Sequence, residues 1–221
     1  KKTFCFIVIF LYSVSCFADT LAKAQLPFED MPLEVVKKEP QKRVRLVKEP
    51  VIMPFYVFNN SIYPPIKSFA PSGYMGDIPD LKITGSYSIL MREGYPALKV
   101  TYSGTGPSGW AGIMWQNPPN NWGEWDGGYN LTRSSRLTFW AKGAQGGETV
   151  EFKIGGTLSN YPDSDNISSG HMTLHCDWTE YTIDLSQAQL HYISAGFGFV
   201  LKQEENPEGC IFYLDDIKFE E

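Results

Sequence analysis

Apolar residues recur at every second position in five segments of the C-terminal two thirds of the chain. The segments lie at 98–102, 137–142, 150–154, 181–185 and 197–201. Their apolar positions are Leu98, Val100, Tyr102, Leu137, Phe139, Ala141, Val150, Phe152, Ile154, Tyr181, Ile183, Leu185, Phe197, Phe199 and Leu201. A period of two predicts strands with one buried face. No amphipathic helix stands out, so the pattern predicts an all-β fold, an antiparallel β-sandwich.

Further elements follow from the segments between these strands. FYVF at 55–58 predicts a first strand that ends at Asn59, and CIFYLDDIKF at 210–219 predicts the last strand. Residues 63–80 hold four prolines and the piece PSGYMGD, which together predict a long loop. GAQGGE at 143–148 indicates a hairpin turn between the second and third alternating segments.

The first fifty residues differ in character from the rest. Two lysines, an apolar run and small residues predict a signal peptide over residues 1–18, and hence export to the periplasm, the cell surface or the extracellular space. Residues 19–50 mix charge with proline, which predicts a flexible, disordered linker. The folded domain is expected at residues 51–221. Cleavage after Ala24 and a lipid anchor on Cys16 are the alternatives.

The charge is distributed unevenly along the chain. The formal net charge is −6, and residues 51–221 carry ten basic and nineteen acidic side chains. An acidic domain argues against nucleic acid, whose phosphates attract Lys and Arg. It is compatible with a neutral ligand and a monomeric chain.

Five of the six tryptophans lie in one stretch, residues 109–142, among Pro, Asn, Asp and Gly. A sugar ring stacks its C–H face on an aromatic ring, and its hydroxyls need amide and carboxylate partners. The stretch therefore predicts a carbohydrate-binding surface, although any one ring could instead belong to the core. The candidate ligand-binding residues are Trp110, Trp115, Asn121, Trp122, Trp125, Asp126, Tyr129, Trp140 and Lys142.

Trp140 has a predicted direction. Its strand neighbours are assigned to the core, so the ring points to the outer face of its sheet, where an uncovered ring would be a ligand surface. If that face is concave, Lys142, Glu151 and Lys153 would share it. The alternative is that the loop at 117–129 covers the ring.

Cys176 and Cys210 remain after the predicted cleavage. An even pair in an exported protein favours a disulfide, and two separate thiols are the alternative. No zinc site is predicted, because His171 and His175 lie in a strand-like segment without the glutamate of the zinc-protease motif.

Four pieces of the sequence, LTFWAKG, DWTEYTIDLS, GFGFV and FYLDDIKFE, carry a family resemblance. They resemble secreted carbohydrate-binding modules of the galactose-binding-like jelly-roll type, over roughly residues 54–221. The resemblance implies a jelly-roll sandwich that binds a polysaccharide or another glycan without catalysis.

The resemblance also implies a structural Ca²⁺ between the first-strand region and the last strand. Asp215 would be a ligand, with Asn59 or Asn60 as its partner from the early chain. By the alternation of the last strand, Asp215 lies on the same face as Ile211, Tyr213, Ile217 and Phe219 and is predicted to point inward. A buried carboxylate needs a cation or, as the alternative, backbone N–H donors.

Three functions remain open. The first is non-catalytic glycan binding. The second is a small glycan-active hydrolase or lyase that uses Glu124, Asp126, His171 or His175, although glycoside hydrolysis needs two carboxylates facing each other across a cleft. The third is a protein-interaction module at the cell envelope. No nucleotide-binding, zinc-protease or serine-hydrolase motif is present.

Overall fold

A computed structural model describes residues 45–59, 68–85, 91–92 and 95–221. Within these ranges the chain forms strands and one short 3₁₀ turn at Ile78–Asp80. No helix in the described ranges is long and apolar enough to cross a membrane. The predicted signal peptide and most of the predicted linker lie outside the described residues.

The described residues form thirteen strands, eleven of them in two main sheets and two in a separate pair. The strands are β1 (Phe55–Phe58), β2 (Ala70–Gly76), β3 (Leu81–Gly85), β4 (Met91–Arg92), β5 (Tyr95–Pro96), β6 (Leu98–Tyr102), β7 (Trp110–Gln116), β8 (Arg136–Gly143), β9 (Thr149–Gly155), β10 (Asn166–Thr173), β11 (Thr179–Asp184), β12 (Ala195–Lys202) and β13 (Cys210–Glu220). The six-stranded sheet has the order β11-β8-β13-β6-β3, with β1 also against β13. The five-stranded sheet has the order β10-β9-β12-β7-β2, and all pairs are antiparallel.

Aromatic rings from both sheets meet in the core between them. Phe139 on β8 and Phe152 on β9 have ring centroids 4.4 Å apart, and Phe197 on β12 lies 5.5 Å from Phe139. Every apolar position named from the alternation is buried. The prediction of an all-β, antiparallel sandwich is therefore confirmed.

The predicted hairpin between β8 and β9 is wrong. β8 belongs to the six-stranded sheet and β9 to the five-stranded sheet, so residues 144–148 cross from one sheet to the other. A glycine-rich turn signals a reversal, but it does not say whether the next strand pairs with the last one. As a result, Trp140 and Lys142 lie on one sheet and Glu151 and Lys153 on the other, and the predicted shared face does not exist.

Part of the predicted loop at 63–80 is a strand. Residues Ala70–Gly76 form β2, which pairs with β7 at the edge of the five-stranded sheet. An edge strand tolerates proline and glycine better than a central one, because one side of it makes no ladder hydrogen bonds. The register shifts between Pro71 and Gly73, which is where the sequence signal for a strand is weakest.

A bulge interrupts the alternation of the last strand. Asp216 has a φ of 49°, and the register of β13 against β8 shifts between Asp215 and Lys218. Leu214 before the bulge and Ile217 after it both face the core. Asp215 therefore does not point inward as predicted, because the extra residue of a bulge reverses the parity that unbroken alternation would keep.

The folded body begins before residue 51. Pro50 forms a bridge with Asn130, and the Val51 N–H donates to the Asn130 carbonyl oxygen at 3.0 Å. The Asn130 amide in turn donates to the Lys48 carbonyl oxygen at 2.6 Å. The described end of the predicted linker, residues 45–50, thus lies against the sandwich.

The predicted disulfide is not formed, because Cys176 and Cys210 are both free thiols. Cys176 is exposed, whereas Cys210 is half-buried at the start of β13.

The two thiols are expected to react at very different rates. Burial raises the pKa of the Cys210 thiol to about 12, with a further contribution from Glu148. Since the thiolate is the reactive form, iodoacetamide at pH 8 should alkylate Cys176 and leave Cys210 unmodified in the native protein. Mass spectrometry of the two peptides measures this, and equal labelling would contradict the buried position of Cys210.

Trp115 belongs to the core rather than to a ligand surface. It is 1% exposed, and its ring lies 5.5 Å from Phe197 and 5.9 Å from Phe199. The prediction that it binds ligand is wrong, because its position on β7 faces the opposite sheet.

Replacing Trp115 is expected to destabilise the protein strongly. Trp115→Ala should lower the free energy of unfolding by about 3–5 kcal/mol, the usual cost of removing a large buried ring. Trp125 is 68% exposed, so Trp125→Ala is the control and should change that free energy by less than about 0.5 kcal/mol. Denaturant unfolding of the two variants measures the difference, and similar midpoints would contradict this placement of the rings.

Candidate functional site

A groove of about 230 Å³ runs across the outer face of the five-stranded sheet. Each of the five strands contributes to its lining, so the groove crosses the sheet from edge to edge. The lining residues are Met75, Trp110, Met114, Trp122, Lys153, Gly155, Gly156, Thr157, Asn166, Ala195 and Val200.

Glycines on the outer face of the sheet leave room for the neighbouring side chains to lie close to the backbone at the bottom of the groove. Gly198 pairs with Met114 across β12 and β7, and a Cβ at Gly198 would lie 2.1 Å from the Met114 sulfur. A Cβ at Gly112 would lie 3.2 Å from a Val200 methyl group and 2.8 Å from a backbone oxygen. The floor side chains therefore lie flat on the sheet, which leaves open space above them.

Trp110 connects the groove to a second hollow. It begins β7 and lines both the groove and an adjoining hollow of about 400 Å³. The other residues of this hollow are Ser108, Gly109, Lys202, Gln203 and Glu204. One indole ring thus stands between two recesses, with polar groups on its far side.

Trp122 lies at the other end of the groove, in the tryptophan loop (residues 117–130). Asn121 is fully buried, and its side chain donates to the Trp125 carbonyl oxygen at 2.9 Å and accepts from the Trp125 N–H at 3.1 Å. These bonds close a turn that places Trp122 over the sheet. The ring is 38% exposed, which leaves it open to a ligand.

The tryptophan loop is held against a facing loop (residues 156–165). The Tyr161 N–H donates to the Gly123 carbonyl oxygen at 2.7 Å, and the Ser159 hydroxyl donates to the Glu124 carboxylate at 2.8 Å. The facing loop continues from β9 and supplies Thr157 to the groove. The Trp122 end of the groove is therefore formed by two loops in contact.

The one lysine in the lining of the groove has a partner. Lys153 lies 3.2 Å from Glu151, which also accepts from the Ser168 hydroxyl at 2.6 Å. The Ser168 hydrogen bond, with support from Lys153, holds the pKa of the Glu151 carboxyl below its ordinary value. The pair leaves this part of the groove without net charge.

The other predicted ligand-binding residues of the tryptophan loop do not line the groove. Trp125 is largely exposed at the rim, and Asp126 forms ion pairs with Arg45 at 3.5 Å and Lys48 at 3.6 Å. Tyr129 packs on Phe55 and Phe69, which lie 4.7 and 5.1 Å from its ring centroid. These residues shape and anchor the loop.

Trp140 and Lys142 lie on the opposite side of the molecule, on the outer face of the six-stranded sheet. Trp140 points away from the core, as predicted. Its ring is covered by the Arg92 guanidinium, whose carbon lies 4.7 Å from the ring centroid. This cation–π contact occupies the face that an open platform would offer.

The described residues of the predicted calcium site do not fit a cation. Arg92 Nε lies 3.2 Å from the Asp215 carboxylate, and an Asn59 amide N–H donates to Asp216 at 2.6 Å. Positive and N–H groups thus face these carboxylates where Ca²⁺ would need oxygen ligands. No cluster of three or more His, Cys, Asp and Glu side chains that could hold a metal ion occurs in the described part of the chain. Asn60 lies outside the described residues.

The residues considered for catalysis are dispersed and have structural partners. Glu124 accepts from the facing loop, and Asp126 is paired with Arg45. His171 lies 2.6 Å from Glu205, and His175 stacks on Tyr181 at 6.5 Å between ring centroids.

Sequence reasoning missed the floor of the groove. Met75 was assigned to a loop. Met114 and Val200 occupy outward positions of their strands, but they are apolar, so the pattern of polar residues does not mark them as exposed. The available signal was GFGFV, where Gly198 occupies an outward position between the buried Phe197 and Phe199. An outward glycine on a central strand indicates a face where something else approaches the backbone closely.

No family model and no curated protein matches the chain. Solved structures do match it. A family 30 carbohydrate-binding module matches at a TM-score of 0.57 and 15% identity, over 76% of this chain and 88% of that one. The family 30 module of a cellulosomal cellulase of Clostridium thermocellum matches at 0.52 and 14%, over 76% and 97%.

A family 11 carbohydrate-binding module of another cellulosomal cellulase of the same organism matches at a TM-score of 0.50 and 15% identity, over 77% of this chain and 95% of that one. Identities this low establish the fold alone. The chain has the jelly-roll sandwich of these modules, so the resemblance stated from the sequence is confirmed at the level of the fold.

The Glu151 carboxyl is expected to titrate below its ordinary pKa of 4.5. A lowered pKa means that the hydrogen bond from Ser168 and the pair with Lys153 contribute to stability above pH 4.5, and that this contribution is lost as the pH falls through the folded-state pKa. Carboxyl chemical shifts measured by NMR between pH 2 and 7 report this midpoint. Ser168→Ala should move it upward, and an unchanged midpoint would contradict the role of the hydroxyl.

Proposed function

We propose that this protein binds a neutral polysaccharide chain in the groove of the five-stranded sheet, without catalysis. The single observation that carries the proposal is a groove lined by all five strands of the sheet, with an exposed indole, Trp122, in its lining and a second indole, Trp110, between two hollows. Trp110 and Trp122 would stack on the apolar faces of sugar rings, and the exposed Asn166 side chain would bond to hydroxyls.

The electrostatics of the groove support a neutral ligand. In the groove Lys153 is paired with Glu151, and in the adjoining hollow Lys202 lies 3.9 Å from both Glu204 and Glu205. Because these cations are already paired with carboxylates, they attract a uronate or a phosphate only weakly. The acidic balance of residues 51–221 acts in the same direction, because it repels anions at long range.

The fold supports the proposal independently of the groove. The similar solved structures are described as carbohydrate-binding modules, two of them from cellulosomal cellulases. The exported or cell-surface location predicted from residues 1–18 would bring the groove to extracellular glycans.

Replacing either groove tryptophan is expected to weaken binding at least tenfold. Removing one stacked ring costs on the order of 1.4 kcal/mol or more, which corresponds to that factor. The full chain and its Trp110→Ala and Trp122→Ala variants are compared by affinity electrophoresis in gels containing hydroxyethylcellulose, mixed-linkage β-glucan, xyloglucan or glucomannan.

Trp140→Ala is the matched control, because it removes the same ring from the outer face of the other sheet and should leave retardation unchanged. Retardation that is lost only in Trp140→Ala would move the site to the six-stranded sheet. No retardation by any of the four polysaccharides would contradict the proposal and favour a protein partner instead.

A further inference from the structure

The segment at residues 45–51, here called the strap, contacts both loops that form the Trp122 end of the groove. Arg45 and Lys48 provide the contacts, and both were assigned to the linker from the sequence. Their side chains are 15% and 28% exposed, so they are largely covered by the sandwich. Long cationic side chains of a linker would instead be solvated.

Arg45 bridges the two loops. Its Nε lies 3.5 Å from the Asp126 carboxylate in the tryptophan loop. Its terminal nitrogens donate to the carbonyl oxygens of Tyr161 and Pro162 in the facing loop. Its guanidinium also stacks on Tyr192, with the carbon 4.1 Å from the ring centroid. A planar, permanently charged group can make all of these contacts at once, whereas the ammonium of lysine cannot.

Lys48 binds the C-terminal part of the tryptophan loop, at residues 126–128. Its ammonium donates to the carbonyl oxygens of Gly127 at 2.7 Å and Gly128 at 3.1 Å, and it lies 3.6 Å from Asp126. Gly128 has a φ of 73°, and a Cβ there would lie 2.2 Å from the Ile193 carbonyl oxygen. The lysine thus binds the loop where its backbone passes close to Ile193.

We propose that Arg45 and Lys48 are positioning residues of the groove, which hold the tryptophan loop and the facing loop together so that Trp122 stays over the sheet. The role in ligand binding rests on the proposed function, whereas the coupling between strap and loops does not. The described part of the predicted linker is then a component of the binding site.

The coupling can be measured without any ligand. The Tyr161 N–H, which donates to Gly123 across the two loops, is the reporter. In the full chain, Arg45→Ala with Lys48→Ala should speed exchange of the Tyr161 amide hydrogen at least tenfold in NMR-detected hydrogen exchange. Exchange at Phe139 and Phe152 in the core strands should stay the same. Arg45→Lys should restore only part of the protection.

Arg136→Ala is the control substitution. Arg136 is also paired with a carboxylate, at 3.5 Å from Glu220, but it lies on β8 in the other sheet. The Arg136→Ala substitution should leave the exchange rate of the Tyr161 amide hydrogen unchanged. Unchanged exchange at Tyr161 in the strap variant would overturn the proposal, as would faster exchange throughout the core, since that would indicate a general loss of stability.

The role in binding is tested with the same four polysaccharides. The strap variant should lose at least threefold in affinity for those that retard the unsubstituted chain, at a temperature well below the melting transition of both. Equal affinity combined with faster exchange at Tyr161 would overturn the positioning role. If no polysaccharide retards the unsubstituted chain, the proposed function fails, and the exchange measurement alone decides whether the strap holds the loops.

Discussion

The sandwich depends on a single packing constraint, which is that each strand gives only one face to the core. Phe139, Phe152 and Phe197 fill the space between the two sheets, and their contacts require every second residue of β8, β9 and β12 to be apolar. Since side chains alternate along a strand, the remaining positions do not pack in the core. On the five-stranded sheet these positions are free to be small, and the groove exists because they are.

Loops then decide what the open face can bind. The floor of methionine and valine is apolar, its methionines are flexible, and by itself it would select no ligand in particular. The indole rings add selectivity, because a flat aromatic ring stacks best on a ligand with a flat apolar face. Trp110 is placed by a strand, whereas Trp122 is placed by a loop that needs outside support. The strap supplies that support with charge-assisted hydrogen bonds, the strongest contacts available at a partly exposed position.

The fold could be predicted from the sequence because the apolar residues that produce the period-two alternation are the same residues that form the core. The site could be predicted only in part. Trp110 and Trp122 were among the candidates, but the same tryptophan-rich stretch sends Trp115 into the core and Trp140 to the opposite sheet. Composition detects such a cluster, whereas the direction of each ring depends on strand parity and sheet assignment. Parity fails at the Asp216 bulge, and sheet assignment fails at the crossing between β8 and β9, since neither has a distinctive local signal.

The strap illustrates why a linker is difficult to delimit from composition. A segment rich in charge and proline has too little apolar surface to order itself, which is the basis for predicting disorder. Arg45 and Lys48 are ordered by a different mechanism, because they neutralise Asp126 and satisfy backbone carbonyls of loops that have no strand partners there. Loop carbonyls that lack ladder partners still need donors. A cationic segment beside an acidic, loop-rich domain can therefore fold onto it, and the boundary of the domain is set by this need for donors as much as by the extent of the apolar core.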